Sequence, residues 1–143
     1  MTKTIRELSS EMRHIDFTML FTQNGENQLA GRPMSNNGEV DYDGDSYYFA
    51  YDSARSIQHI EQNPNVSLSY QGKNSLLGKP PIFISVQGRA ELSRDKAEFL
   101  ERWSKGLDRW FAEGIDTQGL IMIKVRATRI HYWDGEEDGE VIL

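Results

Sequence analysis

The chain opens with Ile5, Leu8, Met12 and Ile15 at helical spacing and charges between them, which predicts a short amphipathic helix over residues 4–14. The pattern then shifts to period two. Phe17 to Thr22 is aromatic-rich and β-prone, and Asn24-Gly25 supplies a turn. Gln28 to Met34 resumes a strand, in which Pro33 implies a sheet edge or a bulge. Asn36-Asn37-Gly38 and Asp43-Gly44 mark two further turns. Tyr47 to Tyr51 reads as a buried aromatic strand that breaks into Asp52-Ser53, two favourable helix N-caps. A helix then runs to about Gln62 with Ala54, Ile57 and Ile60 on one face, and Asn63-Pro64 stops it.

Val66 to Tyr70 is a short strand. Residues 82–92 are the clearest strand: Ile82, Ile84, Val86, Gly88, Ala90 and Leu92 alternate with Phe83, Ser85, Gln87, Arg89 and Glu91. That length suits a strand that curves round a barrel and serves two faces. Ser93-Arg94-Asp95 opens a third helix, with Leu100, Trp103, Leu107, Trp110 and Phe111 as its apolar stripe and Gly106 as its weak point. Leu120 to Arg126 and Thr128 to Trp133 predict two more strands, Gly135 to Glu140 an exposed acidic tail, and Val141 to Leu143 a last short strand. The sum is a mainly β chain of six to eight strands and about three short helices. Hairpin-like turns make the sheet antiparallel, and closure or near-closure into a barrel removes the edges that so many short strands create.

The length of 143 residues suits one domain spanning 1–143, and no linker, repeat or low-complexity tract divides it. The absence of cysteine excludes disulfides, thiolate metal sites and thiol nucleophiles. A net charge of −6 argues against nucleic acid as the main partner. The first residues carry no apolar signal segment and no run approaches a bilayer span, so a cytoplasmic location is the expectation.

Familiar catalytic motifs are absent. His14, His59 and His131 are widely spaced and read as surface or half-buried residues rather than metal ligands, and Glu136-Glu137-Asp138 reads as a solvated loop. Gly72-Lys73-Asn74-Ser75 resembles the end of a phosphate-binding loop, but Ser67 occupies the place of the required first glycine. One constellation stands out. The strand ending at Tyr51 enters Asp52-Ser53-Ala54-Arg55-Ser56 at a helix start, where free amides, hydroxyls and a guanidinium make an anion site suited to a phosphate. Arg32 reaches the same place if the two strands are neighbours. The plainer reading is that Asp52 or Ser53 caps the helix and Arg55 sits in water. A second group, Trp103, Trp110, Phe111, Tyr132 and Trp133, suits core packing, a subunit contact or a planar ligand.

Several stretches, taken together in this order and spacing, carry a family likeness. They are Arg32-Pro33-Met34, Val40 to Asp45, Tyr51 to Arg55, Asn63 to Val66 with Leu68 to Tyr70, Val86 to Leu92, Trp110 to Gly114 and Tyr132 to Gly135. From roughly residue 15 to 143 the chain resembles the general stress protein 26 branch of the pyridoxamine 5′-phosphate oxidase-like superfamily, which are FMN-binding split β-barrels. The resemblance implies a homodimer with two FMN molecules in clefts between subunits. By position, Arg32, Ser53 and Arg55 would hold the FMN phosphate, and Pro33 and Met34 would lie along the flavin. Ala50, Tyr51 and Asp52 would line it through backbone groups, Gln87 would approach the ring, and Trp110 would cover the site from the partner chain.

The function so implied is that of an FMN-dependent oxidoreductase whose substrate, donor and catalytic side chains the sequence does not name. The alternatives are a non-catalytic flavin sensor or store, a split barrel using deazaflavin or haem, and a structural dimer with an empty site. The extended C-terminal segment with which true pyridoxamine phosphate oxidases meet their substrate has no counterpart here, so that reaction is not expected.

Overall fold

The computed structural model describes residues 2–36, 38, 41–74 and 76–143. Helix α1 (Ile5–Met12) begins at Thr4, whose hydroxyl accepts from the Glu7 amide at 3.2 Å while the Glu7 carboxylate accepts from the Thr4 amide at 3.3 Å. This reciprocal box fixes the helix start and lets Leu8 and Met12 turn into the core. Strands β1 (Phe17–Gln23) and β2 (Leu29–Ser35) form a hairpin in full register, from Phe17 against Ser35 to Gln23 against Leu29. Strand β2 is an edge, as Pro33 required, because a proline has no amide to give a further neighbour. Of the next turn signals, Asn37 lies outside the described residues, and Gly44 takes a φ of +113° that a side chain would resist.

Strand β3 (Asp45–Tyr51) is the other end of the hydrogen-bonded path. The order is β2-β1-β4-β5-β6-β3, built with β4 (Asn65–Gln71), β5 (Phe83–Ser93) and β6 (Leu120–Asp134), and every pairing is antiparallel. β7 (Glu137–Ile142) completes a seven-stranded, split-barrel-like sheet. The sequence divided β6 in two near Ala127, whereas the structure runs it unbroken over 15 residues. A bulge between Gln87 and Gly88 of β5 absorbs the irregularity. A Cβ on Gly88 would stand 2.5 Å from the Arg126 carbonyl oxygen, so glycine permits this close approach. The first half of β6 pairs with β3 and the second half with β7, so one strand serves both parts of the barrel. The acidic tail is likewise corrected: Glu137, Asp138 and Glu140 belong to β7, after a turn at Gly135 with φ +65°.

Two further expectations change. Asp52 and Ser53 do not cap α2 (Arg55–Gln62): its N-cap is Ala54, with no side-chain hydrogen bond. The Asp52 amide instead donates to the Gly119 carbonyl at 2.7 Å, extending the β3–β6 edge by one residue. The third helix is also shorter. α3 (Lys96–Arg102), capped by Asp95, ends at an extended Trp103, and a separate 3-10 turn spans Lys105–Arg109. The buried residue of α3 is Phe99, whereas Leu100 is 68% exposed. Breaking the helix lets Trp103 and Phe111 close over Phe49, with Phe49–Trp103 ring centroids 4.8 Å apart, which one continuous helix would not allow.

There are thus two cores. The barrel lumen holds Leu20, Leu68, Ile84, Val86, Ile121, Ile123 and Tyr132, with Leu8 and Met12 of α1 and Ile57 and Ile60 of α2. Phe49, Phe99, Leu107, Phe111, Leu120 and Met122 form the second, outside β3 and β6. Burial on both faces explains the unbroken apolar run at the start of β6. No helix among the described residues is long and apolar enough to cross a membrane.

Candidate functional site

The site lies where the sheet path is open, beside its β2 edge and against α2. β1 directs Thr18, Leu20 and Thr22 inward, and cross-strand pairing with Leu20 sets Arg32 on the same inner side of β2. The Arg32 guanidinium donates through Nη1 to the Leu20 carbonyl at 3.2 Å and to Thr22 Oγ1 at 2.8 Å. Thr22 is fully buried, and its Oγ1 also lies 2.8 Å from Nδ1 of the buried His59 on α2. The arginine head is therefore fixed by the hairpin and, through Thr22, by the helix.

Arg55 stands at the first position of α2 and His59 one turn later, at the i,i+4 spacing that puts two side chains on one helix face. Both line a cleft between α2 and the β1–β2 turn, together with Asn24, Gly25, Gln58 and Gln62. The Gly25 amide donates to Gln62 Oε1 at 2.7 Å and ties the turn to the helix.

Burial lowers the pKa of Arg32 from its ordinary value, and the like charge of Arg55 lowers it further. The two cations thus feel each other, and among the described residues neither forms an ion pair. Glu26 lines the same cleft without pairing to either. No side chain caps α2; the Ile57 amide turns back to the Ala54 carbonyl at 3.1 Å, which leaves the Arg55 and Ser56 amides as the first-turn donors without a partner among the described residues. Two cations, one desolvated and neither neutralised, beside an uncapped helix start have the chemistry of an anion cradle. Acceptor-only groups such as phosphate or carboxylate fit it, and a cationic ligand does not.

The remaining expected residues spread from this point. Pro33 is exposed on the outer side of β2, while Met34 packs against the lumen core. Ala50 also packs there. Tyr51 turns to the second core, with its ring 5.4 Å from Phe111. Asp52 and Ser53 are exposed just before α2. Gln87 is on the outer face of β5, opposite Ser67 and Arg129, and its carbonyl accepts from Thr128 Oγ1 at 3.2 Å. Trp110 is 52% exposed and sits edge-on to Phe17 of its own chain at 6.5 Å. The structure therefore joins Arg32 to Arg55 and leaves Gln87 and Trp110 on outer surfaces.

That outer sheet face is apolar for an exposed surface. Phe17 and Met19 of β1, Phe83 of β5 and Trp133 of β6 are all exposed on it, with Phe83 directly opposite Trp133 in register. Serines 67, 69 and 85 lie between them.

Thr22 and His59 are the residues that sequence reading missed. The available signal was the inward parity of Thr22, a polar side chain at a core position of an alternating strand. Among the described residues, no group of His, Asp and Glu side chains is placed to hold a metal ion.

Curated proteins give no match to the sequence. Among solved structures, general stress protein 26 from Bacillus anthracis is 22% identical, with 94% of each chain covered and a TM-score of 0.73. A Clostridium acetobutylicum protein related to general stress protein 26, of the pyridoxinephosphate oxidase family, is 16% identical, covering 97% of this chain and 94% of its own, with a TM-score of 0.79. A haem-binding protein from Mycobacterium smegmatis is 15% identical with a TM-score of 0.71, over 99% of this chain and 59% of its own. The family described as pyridoxamine 5′-phosphate oxidase like matches residues 3–143, nearly the whole chain, and the protein belongs to that family.

Proposed function

We propose that the protein binds FMN, with the flavin phosphate held between Arg32, Arg55 and the start of α2, and that it serves as a flavin-dependent oxidoreductase. The observation that carries this reading is that Arg32, braced on Leu20 and Thr22, is linked through Thr22 to His59, which lines one cleft with Arg55 at the start of α2, and that neither arginine forms an ion pair among the described residues. Family membership supports the flavin as the phosphate's bearer. FMN supplies the electron transfer when bound. The chain's own residues bind and orient: Arg32 is braced by Leu20 and Thr22, and Arg55 offers a second, exposed guanidinium. No side chain is assigned a proton-transfer role.

The exposed Phe17, Met19, Phe83 and Trp133 support the second part of the proposal, a homodimer formed through this sheet face. In that arrangement Trp110 and Gln87 stand near the partner rather than in the chain's own phosphate cradle.

The test is a visible spectrum of the purified protein and a titration with FMN and with riboflavin. Retained flavin bands, or micromolar and tighter FMN binding that weakens in Arg32→Ala, are expected. Equal affinity for riboflavin and FMN would remove the phosphate assignment. A Soret band instead of flavin bands would favour haem, the ligand in the name of the Mycobacterium smegmatis relative.

A further inference from the structure

The proton arrangement around Thr22 determines what His59 presents to the cleft. A guanidinium only donates, so Thr22 Oγ1 accepts from Arg32 Nη1 at 2.8 Å. Thr22 is fully buried, and its hydroxyl has one proton to place. Among the described residues its one other hydrogen-bonding neighbour is Nδ1 of His59, at 2.8 Å. If His59 Nδ1 carried a proton, Thr22 would accept twice and its own O–H would be buried without an acceptor, a costly arrangement. Thr22 therefore donates to Nδ1. Nδ1 is the acceptor, and the proton of the neutral imidazole is on Nε2.

His59 is only 8% exposed, yet its ring is part of the cleft lining beside Arg55. Nε2 makes no hydrogen bond among the described residues. The chain from Arg32 through Thr22 to His59 thus ends in an N–H donor, unused among the described residues, on the cleft that Arg55 also lines.

We propose that His59 is a third ligand of the bound anion, donating from Nε2, and that the Arg32–Thr22–His59 chain fixes this donor. The inference rests on the phosphate reading above and names a residue that determines its specificity. Arg32, Arg55 and His59 Nε2–H then offer donors only. Such a set favours an ionised phosphate, which only accepts, over a terminal hydroxyl, which must also place its own proton. His59 accordingly contributes to choosing FMN over riboflavin.

Two substitutions separate the two ring nitrogens. His59→Asn keeps a carbonyl oxygen near the Nδ1 position, so Thr22 retains its acceptor, but nothing reaches the cleft. His59→Gln carries its amide group out to about the Nε2 position. FMN and riboflavin dissociation constants are measured for wild type and both variants, with thermal melting as the control on folding. His59→Asn is expected to weaken FMN about tenfold, the scale of one hydrogen bond to a charged group. Riboflavin affinity and the melting temperature stay unchanged, and His59→Gln recovers most of the FMN binding. An unchanged preference for FMN over riboflavin in His59→Asn would overturn the proposal.

A second readout does not depend on the flavin. Nitrogen NMR of the imidazole in the free protein reports the tautomer, and titration with inorganic phosphate reports contact with Nε2. A proton on Nδ1, or an Nε2 signal indifferent to phosphate, overturns the inference whatever flavin does. Failure of wild type to bind FMN, together with the expected tautomer and a phosphate-sensitive Nε2, would overturn the cofactor reading alone.

Discussion

Strand β1 sends two threonines into the barrel, and each joins a different polar cluster. Thr22 meets Arg32 and His59 at the cleft. Thr18, four residues earlier and separated by Leu20, donates to the Ser69 carbonyl at 2.9 Å and lies beside Tyr70. There the Tyr48 and Tyr70 hydroxyls bond each other at 3.0 Å in full burial. The second cluster is neutral and shares its protons internally. The first is cationic and ends in donors with no protein acceptor. Identical residue types on one strand therefore serve different ends, and the distinction is set by what the neighbours leave unsatisfied. A closed set of hydroxyls stabilises the fold, whereas an open set of donors calls for a ligand.

The sharpest way to break this contrast is to truncate one member of each cluster. Tyr48→Ala removes a fully buried ring from the lumen and should cost about 3–5 kcal/mol of stability, read as a large fall in denaturation midpoint. Arg32→Ala should behave oppositely. It loses the bonds to Leu20 and Thr22 but also relieves a desolvated cation beside Arg55, so its stability change stays below about 1 kcal/mol. FMN affinity should fall about 10- to 100-fold, the range for losing a charge-assisted hydrogen bond. If Arg32→Ala melted as far below wild type as Tyr48→Ala, the cationic cluster would be structural and the contrast would collapse. Arg55→Ala sharpens it further: this exposed side chain should leave the midpoint within about 0.5 kcal/mol while lowering FMN affinity less than Arg32→Ala does.

The sequence made the tyrosine cluster and the arginines legible to different degrees. The period-two pattern located β5 to within a residue, because alternation directly reports which face is buried, whereas Tyr47 to Tyr51, read as one buried aromatic strand, in fact divides its side chains, with Tyr48 buried and Tyr51 exposed. Arg32 and Arg55 were found because helix-start chemistry and family likeness pointed to the same place. Thr22 and His59 were not, since their roles depend on cross-strand register and on how α2 lies over β1. A lone histidine on a helix carries no local mark of either. The N-cap expectation failed for a similar reason. Asp52 is a good cap by type, but the strand pairing with Gly119, some 67 residues away along the chain, holds it in the extension of β3, and the chain reaches the cap position two residues later, at Ala54. The third helix failed because an aromatic cluster around Phe49 outweighed local helical propensity at Trp103.

The mildest test stays within the tyrosines and uses sign rather than size. Tyr42, close enough to feel Tyr70 but outside the bonded Tyr48–Tyr70 pair, has a buried hydroxyl with no hydrogen-bond partner among the described residues. Removing an unpartnered hydroxyl relieves a desolvation cost, so Tyr42→Phe should be neutral or slightly stabilising. Tyr48→Phe leaves the Tyr70 hydroxyl without its partner and should cost about 1 kcal/mol. Burial raises the pKa of Tyr42, Tyr48 and Tyr70 above the ordinary tyrosine value of 10.0. Below that pH all three are neutral in both states and their contribution is fully present. Above it, the unfolded chain releases protons that the folded chain keeps, so stability falls as pH rises. Lys3 acts in the same direction, because its ammonium, 3.2 Å from the Asp134 carboxylate, is held above its ordinary range. Melting temperatures from pH 8 to 12 should therefore decline beyond about pH 10, and Tyr42→Phe and Tyr48→Phe should each flatten the decline while Lys3→Met flattens it separately. Ring signals of Tyr48 or Tyr70 that titrate at the ordinary pH in the still-folded protein would show that the hydroxyl cluster is open to water, as the arginine cluster is, and would erase the difference between them.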